Sequence, residues 1–314
     1  MKVSVCITVF NEEKSVGKLL ESLLDQTKNP DEIVIVDGGS KDKSVEIISH
    51  LQKKDGRIKL LVQKCSRAKG RNLGVELAKN ETIAMTDADC VADKHWLKRI
   101  TDPFKIQQVD IVAGFYKMIT QNPMQKAASV FLGVTPNSFD VNFLPSTRSI
   151  AFRKIAWEVI GGFPEKKGNS AEDTDFNYKA VKLGMKFARV KNAIVEWEMP
   201  KTLKETLVKI YNYAKWDAKY GVWWHPTHKF SSHNIKVLLV LLRYFLGLLF
   251  FILGFKNSIF MIVLLGGMIT YVFWAFKKVY SQTGDGQAGL WGVVVQIGSD
   301  FAVMAGFLAG IMKR

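Results

Sequence analysis

Cysteine is scarce in this chain of 314 residues, which contains only Cys6, Cys65 and Cys90. Their number is odd, and they lack the close spacing to other cysteines or to histidines that a zinc site requires. The sequence therefore excludes a disulfide-stabilised scaffold and a cysteine-based metal centre. The three thiols are predicted to act as small apolar residues in a reducing compartment.

Acidic residues are few relative to basic ones, most of all near the carboxyl terminus. The chain has 44 basic and 29 acidic residues, which give a net charge of +15. Seven of the basic residues and two of the acidic residues lie within 235–314. This surplus favours anionic partners such as nucleotide phosphates, anionic headgroups or a lipid phosphate. Nucleic acid is not expected as a partner, because the sequence has no helix-turn-helix, zinc-finger or RNP pattern.

A secretory signal peptide is not evident at the amino terminus. The apolar run at 3–10 is short and ends at Asn11-Glu12-Glu13 rather than at a small-residue cleavage site. We therefore expect the amino-terminal half to face the cytosol. The apolar stretches later in the chain predict a multi-pass protein of the cell membrane.

The first hundred residues alternate between strand and helix patterns. Short apolar runs predict buried strands at 3–9, 32–36, 58–62 and 82–86. Helices are predicted between them at 12–26, 41–53 and 67–78. Further elements are predicted as a strand at 110–119, a loop at 134–147, a helix at 171–183 and strands at 187–190 and 194–197. This α/β order predicts a doubly wound, mostly parallel sheet with ligands at the carboxyl ends of its strands.

A basic amphipathic helix is predicted at 201–220. Its apolar side is formed by Leu203, Leu207, Ile210, Ala214 and Ala218, and five lysines largely avoid that side. We expect this helix to dock at a membrane interface, and a helix packed in a protein core is the alternative.

Three apolar stretches follow at 235–253, 259–276 and 290–311, each near the roughly 20 residues that span a bilayer. The predicted domains are 1–200, an interfacial helix and linker at 201–232, and a transmembrane region at 233–314. Lys277 and Lys278 are expected in the cytosol, because basic loops stay on that side. A third crossing would leave Lys313 and Arg314 outside, so the sequence leaves two or three crossings open.

The last apolar stretch carries small residues on one helical face, Gly298, Ala302, Gly306 and Gly310. Such a face allows two membrane helices to approach closely. It predicts contact either with a second copy of the chain or with the first two apolar segments. Asp300 lies on a different side and is expected to face protein or water, because a lipid-exposed charge is costly.

Asp87-Ala88-Asp89 directly follows the strand predicted at 82–86. Hard oxygen ligands spaced in this way can hold Mg²⁺ or Mn²⁺, which neutralises a diphosphate as it leaves. An Asp-x-Asp triplet alone is weak evidence, since it occurs in many loops. Its position after a buried strand strengthens the prediction that Asp87 and Asp89 are metal ligands.

The chain resembles the family 2 glycosyltransferases of the GT-A fold. The resemblance covers about residues 1–200 and rests on four ordered segments, VSVCITVFNEE (3–13), IVIVDGGSKDKS (33–44), SRAKGRNLGVELAKNETIAMTDADC (66–90) and GGFPEKKGNSAEDTDFNYKAVKLG (161–184). The family often has Asp-Asp-Gly-Ser where this chain has Asp37-Gly38-Gly39-Ser40, a departure that keeps the first aspartate.

The resemblance implies a set of donor-binding residues. Thr8, Phe10 and Glu12 would line the nucleoside pocket, and Asp37 would accept a hydrogen bond from the base. Arg71 would lie near the nucleotide. Asp87 and Asp89 would hold the sugar, the ribose and the metal ion.

Glu172-Asp173 matches the family's acidic pair at the start of an acceptor-side helix. The resemblance implies that Asp173 is the general base of a one-step inverting displacement in members that glycosylate a hydroxyl. An attacking alcohol needs such a proton acceptor. A helix amino terminus that carries dipole-compatible acids is the structural alternative, and Asp175 is expected to point elsewhere.

Candidate acceptor-binding residues are less distinctive. Asn212-Tyr213-Ala214-Lys215-Trp216 stands where processive members have Gln-x-x-Arg-Trp, so Trp216 is expected near the acceptor while the two replacements argue against a polymer synthase. Arg148, Arg153 and Lys154 are candidates for an acceptor phosphate, or they are solvated surface charges.

The sequence thus predicts transfer of one sugar from a UDP- or GDP-linked donor to a polyprenyl- or dolichyl-linked acceptor. The first alternative is a polyprenyl-phosphate monoglycosyltransferase, which needs no protein base because its acceptor oxygen is already ionised. The second is a catalytically silent nucleotide-sugar-binding or scaffold protein. A dinucleotide-dependent dehydrogenase is disfavoured, because no Gly-x-Gly-x-x-Gly follows the first strand.

Overall fold

The computed structural model describes residues 1–136, 139–165, 172–221, 223 and 232–312. The chain divides into two compact units. The first unit comprises Met1–Ile119 and Phe139–Glu198, and the second comprises Thr120–Ser138 and Met199–Arg314. The sequence did not assign residues 120–138 to the second unit.

The first unit is an α/β domain, with elements numbered along the whole chain. Its described strands are β1 Val3–Val9, β2 Glu32–Asp37, β3 Ile58–Val62, β4 Thr82–Met85, β5 Cys90–Ala92, β6 Ile111–Ile119, β7 Ile150–Arg153 and β8 Phe187–Glu198. Its described helices are α1 Val16–Leu24, α2 Ser44–Lys54, α3 Arg67–Leu77, α4 Trp96–Thr101, α5 Pro103–Ile106, α7 Lys154–Ile160 and α8 Glu172–Lys182.

These strands form one sheet in the order β3-β2-β1-β4-β7-β6-β8-β5. The half that contains β1 to β4 is parallel, as the sequence predicts. The other half is mixed, because β7 runs antiparallel to both β4 and β6, and β5 runs antiparallel to β8. The short strands β5 and β7 have too few residues for a visible alternation, which explains why the sequence did not predict them.

The predicted pair of strands at 187–190 and 194–197 is one continuous strand, β8, which pairs with β6 across a register shift between Ala113 and Phe115. Gly114 lies at this shift. A Cβ atom there would come 2.8 Å from the Ala193 carbonyl oxygen and 2.0 Å from Ser149 Oγ. Only glycine therefore allows the two strands to stay paired at this point.

The cysteines fit their predicted role as small core residues. All three are free, and Cys6 and Cys90 are buried. Burial raises the pKa of both of these thiols, so they remain protonated.

The second unit is helical in its described part. Its helices are α6 Pro123–Leu132, α9 Leu203–Tyr220, α10 His233–Gly254, α11 Ser258–Thr283 and α12 Gly286–Ile311. Among the described helices, α10, α11 and α12 are long and apolar enough to cross a membrane. The three apolar stretches read from the sequence are therefore confirmed as helices.

Helix α12 contacts α9 through the predicted face of small residues. A Cβ atom at Gly298 would lie 2.9 Å from Leu207 Cδ2, and one at Gly306 would lie 2.3 Å from the Tyr211 carbonyl oxygen. The partner is thus α9 rather than the first two apolar segments. The same contact covers the apolar side of α9, where Ile210 is buried, which fits the packed alternative for this helix. The face proposed for a homo-oligomer is covered within one chain.

Asp300 is buried on another side of α12, as expected for a charge that avoids lipid. It is ion-paired with Arg243 and accepts a hydrogen bond from Tyr271. Gln296 Nε2 donates to its other oxygen at 2.9 Å, and Tyr244 donates at 3.2 Å. Protein groups therefore replace water around this carboxylate.

The close approach of α12 to α9 predicts that Gly306→Ala destabilises the protein. The new methyl group must displace a backbone carbonyl, and overpacking of this kind costs about 1–3 kcal/mol. The midpoint of thermal unfolding in detergent should fall clearly below that of the wild type. Gly267→Ala in α11 is the control, since no atom lies within 4 Å of its Cβ position. Equal midpoints for the two variants would contradict the packing described here.

Candidate active site

The parallel register brings several of the predicted residues to one edge of the sheet. Val9 of β1 pairs with Asp37 of β2, and Cys6 of β1 pairs with Met85 of β4. The loops that follow β1, β2 and β4 therefore start at the same edge. These loops hold Phe10, Asp37 and the Asp87-Ala88-Asp89 triplet, as the sequence predicts.

A buried guanidinium lies at the centre of the carboxylates. Arg71 Nη2 lies 3.0 Å from Asp87 Oδ1 and donates to Thr147 Oγ1 at 2.6 Å, while Nη1 is ion-paired with Glu172. Thr147 in turn donates to Asp87 at 3.1 Å. Arg71 thus joins helix α3, the loop after β4 and the start of α8.

The network fixes the charge of Asp87. Burial alone would raise its pKa, but the positive charges of Arg71, Arg148 and Arg67 outweigh burial and lower the pKa to about 2. Asp87 is therefore an anion at neutral pH although it lies among protein groups. An ionised carboxylate held in place suits a cation ligand.

The pKa of Asp173 is shifted in the opposite direction from that of Asp87. Burial and the neighbouring charge of Glu172 raise the pKa of Asp173, against the opposing charge of Arg71. One oxygen of Glu172 is ion-paired with Arg71, and the other, Oε2, is buried with no hydrogen-bond partner among the described residues. Two adjacent carboxylates thus differ in their surroundings, because Glu172 is ion-paired with Arg71, while burial and a neighbouring negative charge raise the pKa of Asp173.

Asp89 is positioned by a residue that the sequence did not suggest. Trp197 Nε1 donates to Asp89 Oδ2 at 2.9 Å, and the Arg148 guanidinium lies 3.8 Å from the centroid of the Trp197 ring. Trp197 comes from β8, more than a hundred residues along the chain. Neither Trp197 nor Thr147 lies in a local pattern that could have marked it, since only the fold brings them to the aspartates.

Helix α3 also holds the Gly161-Gly162-Phe163 segment, through Asn72. Asn72 Nδ2 donates to the Phe163 carbonyl at 2.8 Å, and the Phe163 amide donates back to Asn72 Oδ1 at 2.8 Å. Gly162 has φ +70°, and a Cβ atom there would lie 2.9 Å from Asn72 Oδ1. A glycine at position 162 is therefore needed for the two hydrogen bonds between Asn72 and Phe163 to form.

Asp37 organises its own loop. Its Oδ1 accepts from the backbone amides of Gly39 at 2.9 Å and Ser40 at 2.8 Å, and its Oδ2 accepts from Ser40 Oγ at 2.5 Å. Ser40 Oγ also accepts from the Asn11 amide at 2.8 Å. The loops after β1 and β2 are thereby linked. Thr8 lies near the end of β1, Phe10 and Glu12 follow in the loop after it, and Phe10 is exposed.

The structure does not bring every predicted residue to this cluster. Arg153 pairs with Thr82 at the amino end of β4, away from Asp87, and its Nη2 donates to the Phe104 carbonyl at 3.2 Å. Lys154 Nζ donates to the Ala78 carbonyl at 2.9 Å. Both side chains therefore bind backbone at the opposite edge of the sheet. Their role at an acceptor phosphate stays a prediction that these positions do not favour.

Trp216 belongs to the second unit. The ammonium groups of Lys219 and Lys215 lie 4.9 Å and 5.5 Å from the centroid of its ring in α9. The predicted role of Trp216 at an acceptor site stays a prediction.

Comparison with known proteins gives the family. The family described as "Glycosyl transferase family 2" matches residues 4–160, half of the chain. The chain belongs to glycosyl transferase family 2. The GT-A fold and the resemblance drawn from its four segments are confirmed.

Curated members of the family align with part of their length. The protein named "Uncharacterized glycosyltransferase EpsJ" of Bacillus subtilis is 28% identical over 192 residues, which cover 57% of this chain and 56% of EpsJ. The chain spans about half the length of such relatives. A longer match is a Methanococcus voltae protein, 25% identical over 230 residues, which cover 68% of this chain and 71% of that protein. Its name is dolichyl N-acetyl-alpha-D-glucosaminyl phosphate 3-beta-D-2,3-diacetamido-2,3-dideoxy-beta-D-glucuronosyltransferase.

Solved structures of glycosyltransferases share the fold. The mannosyltransferase PcManGT of Pyrobaculum calidifontis, in complex with GDP-Man and Mn²⁺, has a TM-score of 0.59 at 18% identity, over 94% of this chain and 86% of its own. Staphylococcus aureus TarS 1-349 has a TM-score of 0.54 at 19% identity, over 93% of this chain and 90% of its own.

The carboxylates of this family 2 chain fit a divalent cation that is shared with a substrate. Within the described ranges, no three acidic, histidine or cysteine side chains gather into a complete metal site. Mg²⁺ and Mn²⁺ sites commonly use one or two carboxylates and take their other ligands from phosphates and water. The ionised Asp87, with Asp89 two residues along, matches that requirement.

The central guanidinium predicts a strong coupling between Arg71 and Glu172. Arg71→Met leaves a buried carboxylate without its partner, which costs about 3–5 kcal/mol of unfolding free energy. The double variant Arg71→Met/Glu172→Gln should lose less than Arg71→Met alone, as measured by denaturant unfolding. Arg57→Met, which breaks a more exposed pair with Asp55, is the control and should cost under about 1 kcal/mol. Additive losses in the double variant would show that the pair is not coupled.

Proposed function

We propose that this family 2 glycosyltransferase moves one sugar from a UDP- or GDP-linked donor to a polyprenyl- or dolichyl-linked acceptor at the cytosolic membrane face. The observation that carries the proposal is the pairing of an ionised Asp87 with a raised-pKa Asp173 around one buried arginine. The name of the Methanococcus voltae relative supports a lipid-linked acceptor. The long apolar helices α10 and α11 support a membrane location.

At the donor end, Asp87 and Asp89 are assigned to Mn²⁺ or Mg²⁺ together with the diphosphate. The ion supplies charge neutralisation for the leaving diphosphate. Trp197 and Thr147 hold the two aspartates in place through their hydrogen bonds. Arg71 keeps Asp87 ionised and joins it to Glu172.

The nucleoside is assigned to the loops after β1 and β2. Thr8, Phe10 and Glu12 line this part of the edge, and the exposed Phe10 ring offers a stacking surface. Asp37 shapes the loop through its bonds to Gly39 and Ser40, and each of its oxygens has two acceptor positions, so a base N–H could still bind there.

At the acceptor end, Asp173 is assigned as the base that removes the proton of an attacking hydroxyl. Its raised pKa places it closer to neutral pH than an ordinary aspartate, which improves proton transfer. Glu172 positions Arg71 and raises the proton affinity of Asp173. Attack opposite the diphosphate inverts the anomeric centre. Arg148, beside the same carboxylates, and Trp216 are assigned to acceptor binding.

The metal assignment predicts the behaviour of Asp89→Ala. This variant should lose sugar transfer and the Mn²⁺-dependent part of nucleotide binding, because the diphosphate loses its neutralising ion. Calorimetry with UDP and GDP, with Mn²⁺ and with EDTA, measures the second effect independently of turnover. Asp25→Ala is the control, because its side chain is 77% exposed and lies outside the cluster. Full activity of the wild type in EDTA would remove the metal from this proposal.

The base assignment predicts both a rate and a pH profile. Asp173→Asn should lower kcat by about 10²–10⁴ and leave the donor Kd near its normal value. In the wild type, kcat/KM should fall on acidification at a higher pH than an unperturbed aspartate would give, because the base must be deprotonated and its pKa is raised. The Asn variant should lose this acid limb. Rates near those of the wild type would instead indicate a lipid-phosphate acceptor, which needs no base.

A further inference from the structure

Helices α10 and α11 form a hairpin whose turn lies at 255–257. Near this turn the two helices contact each other, since a Cβ atom at Gly254 would lie 3.0 Å from Met261 Cε. The Phe250 and Phe260 rings also have centroids 5.9 Å apart. Large apolar side chains of this part of the hairpin, such as Phe245 and Ile269, are exposed.

Both halves of α12 meet this hairpin at the end away from the turn, and Asp300 between them contacts Arg243 and Tyr271 nearer the middle of the hairpin helices. In the amino-terminal half of α12, a Cβ atom at Gly292 would lie 2.6 Å from Val279 Cγ2 of α11. In the carboxyl-terminal half, Phe307 packs in a core cluster with Val237 of α10. Val279 and Val237 both lie far from the turn. Helix α12 therefore crosses α11 and then α10, and neither of its halves follows the hairpin to the turn.

Polar helices flank α12 along its length. Near its amino end, Lys126 of α6 pairs with Asp285 at 2.7 Å, and Ala127 of α6 packs with Val295. Further along, Gly306 and Gly310 lie against backbone carbonyls of α9.

A spanning α12 would draw α9 into the hydrocarbon with it. Helix α9 carries Lys204, Lys209, Lys215 and Lys219, and lysine side chains are energetically costly in the hydrocarbon interior of a bilayer. The contrast in burial agrees with this argument, because 39% of the most apolar window of α12 is buried within the protein, against 6% for α10 and for α11.

The remaining face of α12 is apolar and exposed. It consists of Leu290, Trp291, Val294, Ile297, Phe301 and Leu308. An apolar face opposite a protein-covered one, with tryptophan in it, is typical of a helix that lies along a membrane interface. This face adjoins the exposed apolar hairpin, so one bilayer can cover both.

We propose that α10 and α11 are the membrane crossings of the described chain, and that α12 lies along the interface on the side of α9. The carboxyl terminus then returns to that side after two crossings. This arrangement places Lys277 and Lys278 on the side of α9, as the positive-inside rule requires. It removes the conflict that a third crossing creates.

Cysteine labelling of the full-length protein in cells tests the sidedness. A Cys65→Ser background leaves only the buried Cys6 and Cys90. Single cysteines are placed at the exposed positions Lys204, Lys256 and Met312, which report on α9, on the hairpin turn and on the end of α12. Intact cells and inverted vesicles are then treated with a membrane-impermeant maleimide, with the background protein as the unlabelled control.

We expect Met312→Cys to react in the same preparation as Lys204→Cys, and Lys256→Cys to react in the other. Reaction of Met312→Cys together with Lys256→Cys would show a third crossing and overturn the proposal. Reaction of all three on one side would show that the hairpin does not cross, and would overturn it as well.

The depth of α12 gives a second, independent test. Nitroxide labels at Leu290, Ile297 and Leu308 in liposomes of phosphatidylcholine and phosphatidylglycerol should report equal, shallow depths by power-saturation spectroscopy. A spanning helix would place Ile297 deep, because the outer two positions would be about 27 Å apart along the membrane normal at 1.5 Å per residue. A deep Ile297 between two shallow positions would overturn the proposal.

Discussion

The buried guanidinium of Arg71 is the interaction on which the first unit depends. It joins Asp87 after β4, Thr147 before β7 and Glu172 at the start of α8. A positive charge is stable in such a position only when carboxylates surround it, and the positive charge in turn helps to lower the pKa of Asp87. The same contacts that hold three segments together therefore also keep Asp87 ionised.

The packing of the second unit depends on glycine residues, which have no side chain. Glycines on α12 let the backbone of α9 come within contact distance, and larger residues would push the two helices apart. Helix α12 also makes two ion pairs, Asp285 with Lys126 and Asp300 with Arg243. Close packing holds α12 against α9, and the two charge pairs join α12 to α6 and to α10.

The sequence predicted the parts of the molecule that have local periodicity or a local motif. The strands before Asp37 and Asp87 and the three apolar helices each carry their own pattern. Trp197 and Thr147 carry none, because their roles arise from strand pairing and loop closure over long distances. The positions of Arg153 and Lys154 at the far edge of the sheet also arise from strand pairing, since β7 runs antiparallel to β4. The helix that packs on the glycine face of α12 could be identified only from the structure, because a sequence motif predicts a packing surface but not the element that packs on it.

The packing of α9 against α12 has a consequence for biosynthesis. Some sixty residues of hairpin and turns separate the two helices along the chain. In the proposed topology, α9 emerges first during translation, and its apolar side stays uncovered until α10 and α11 have entered the bilayer and α12 has left the ribosome. Membrane insertion thus precedes completion of this helical unit. A chain that is truncated before α12 leaves the apolar side of α9 exposed to quality-control proteases.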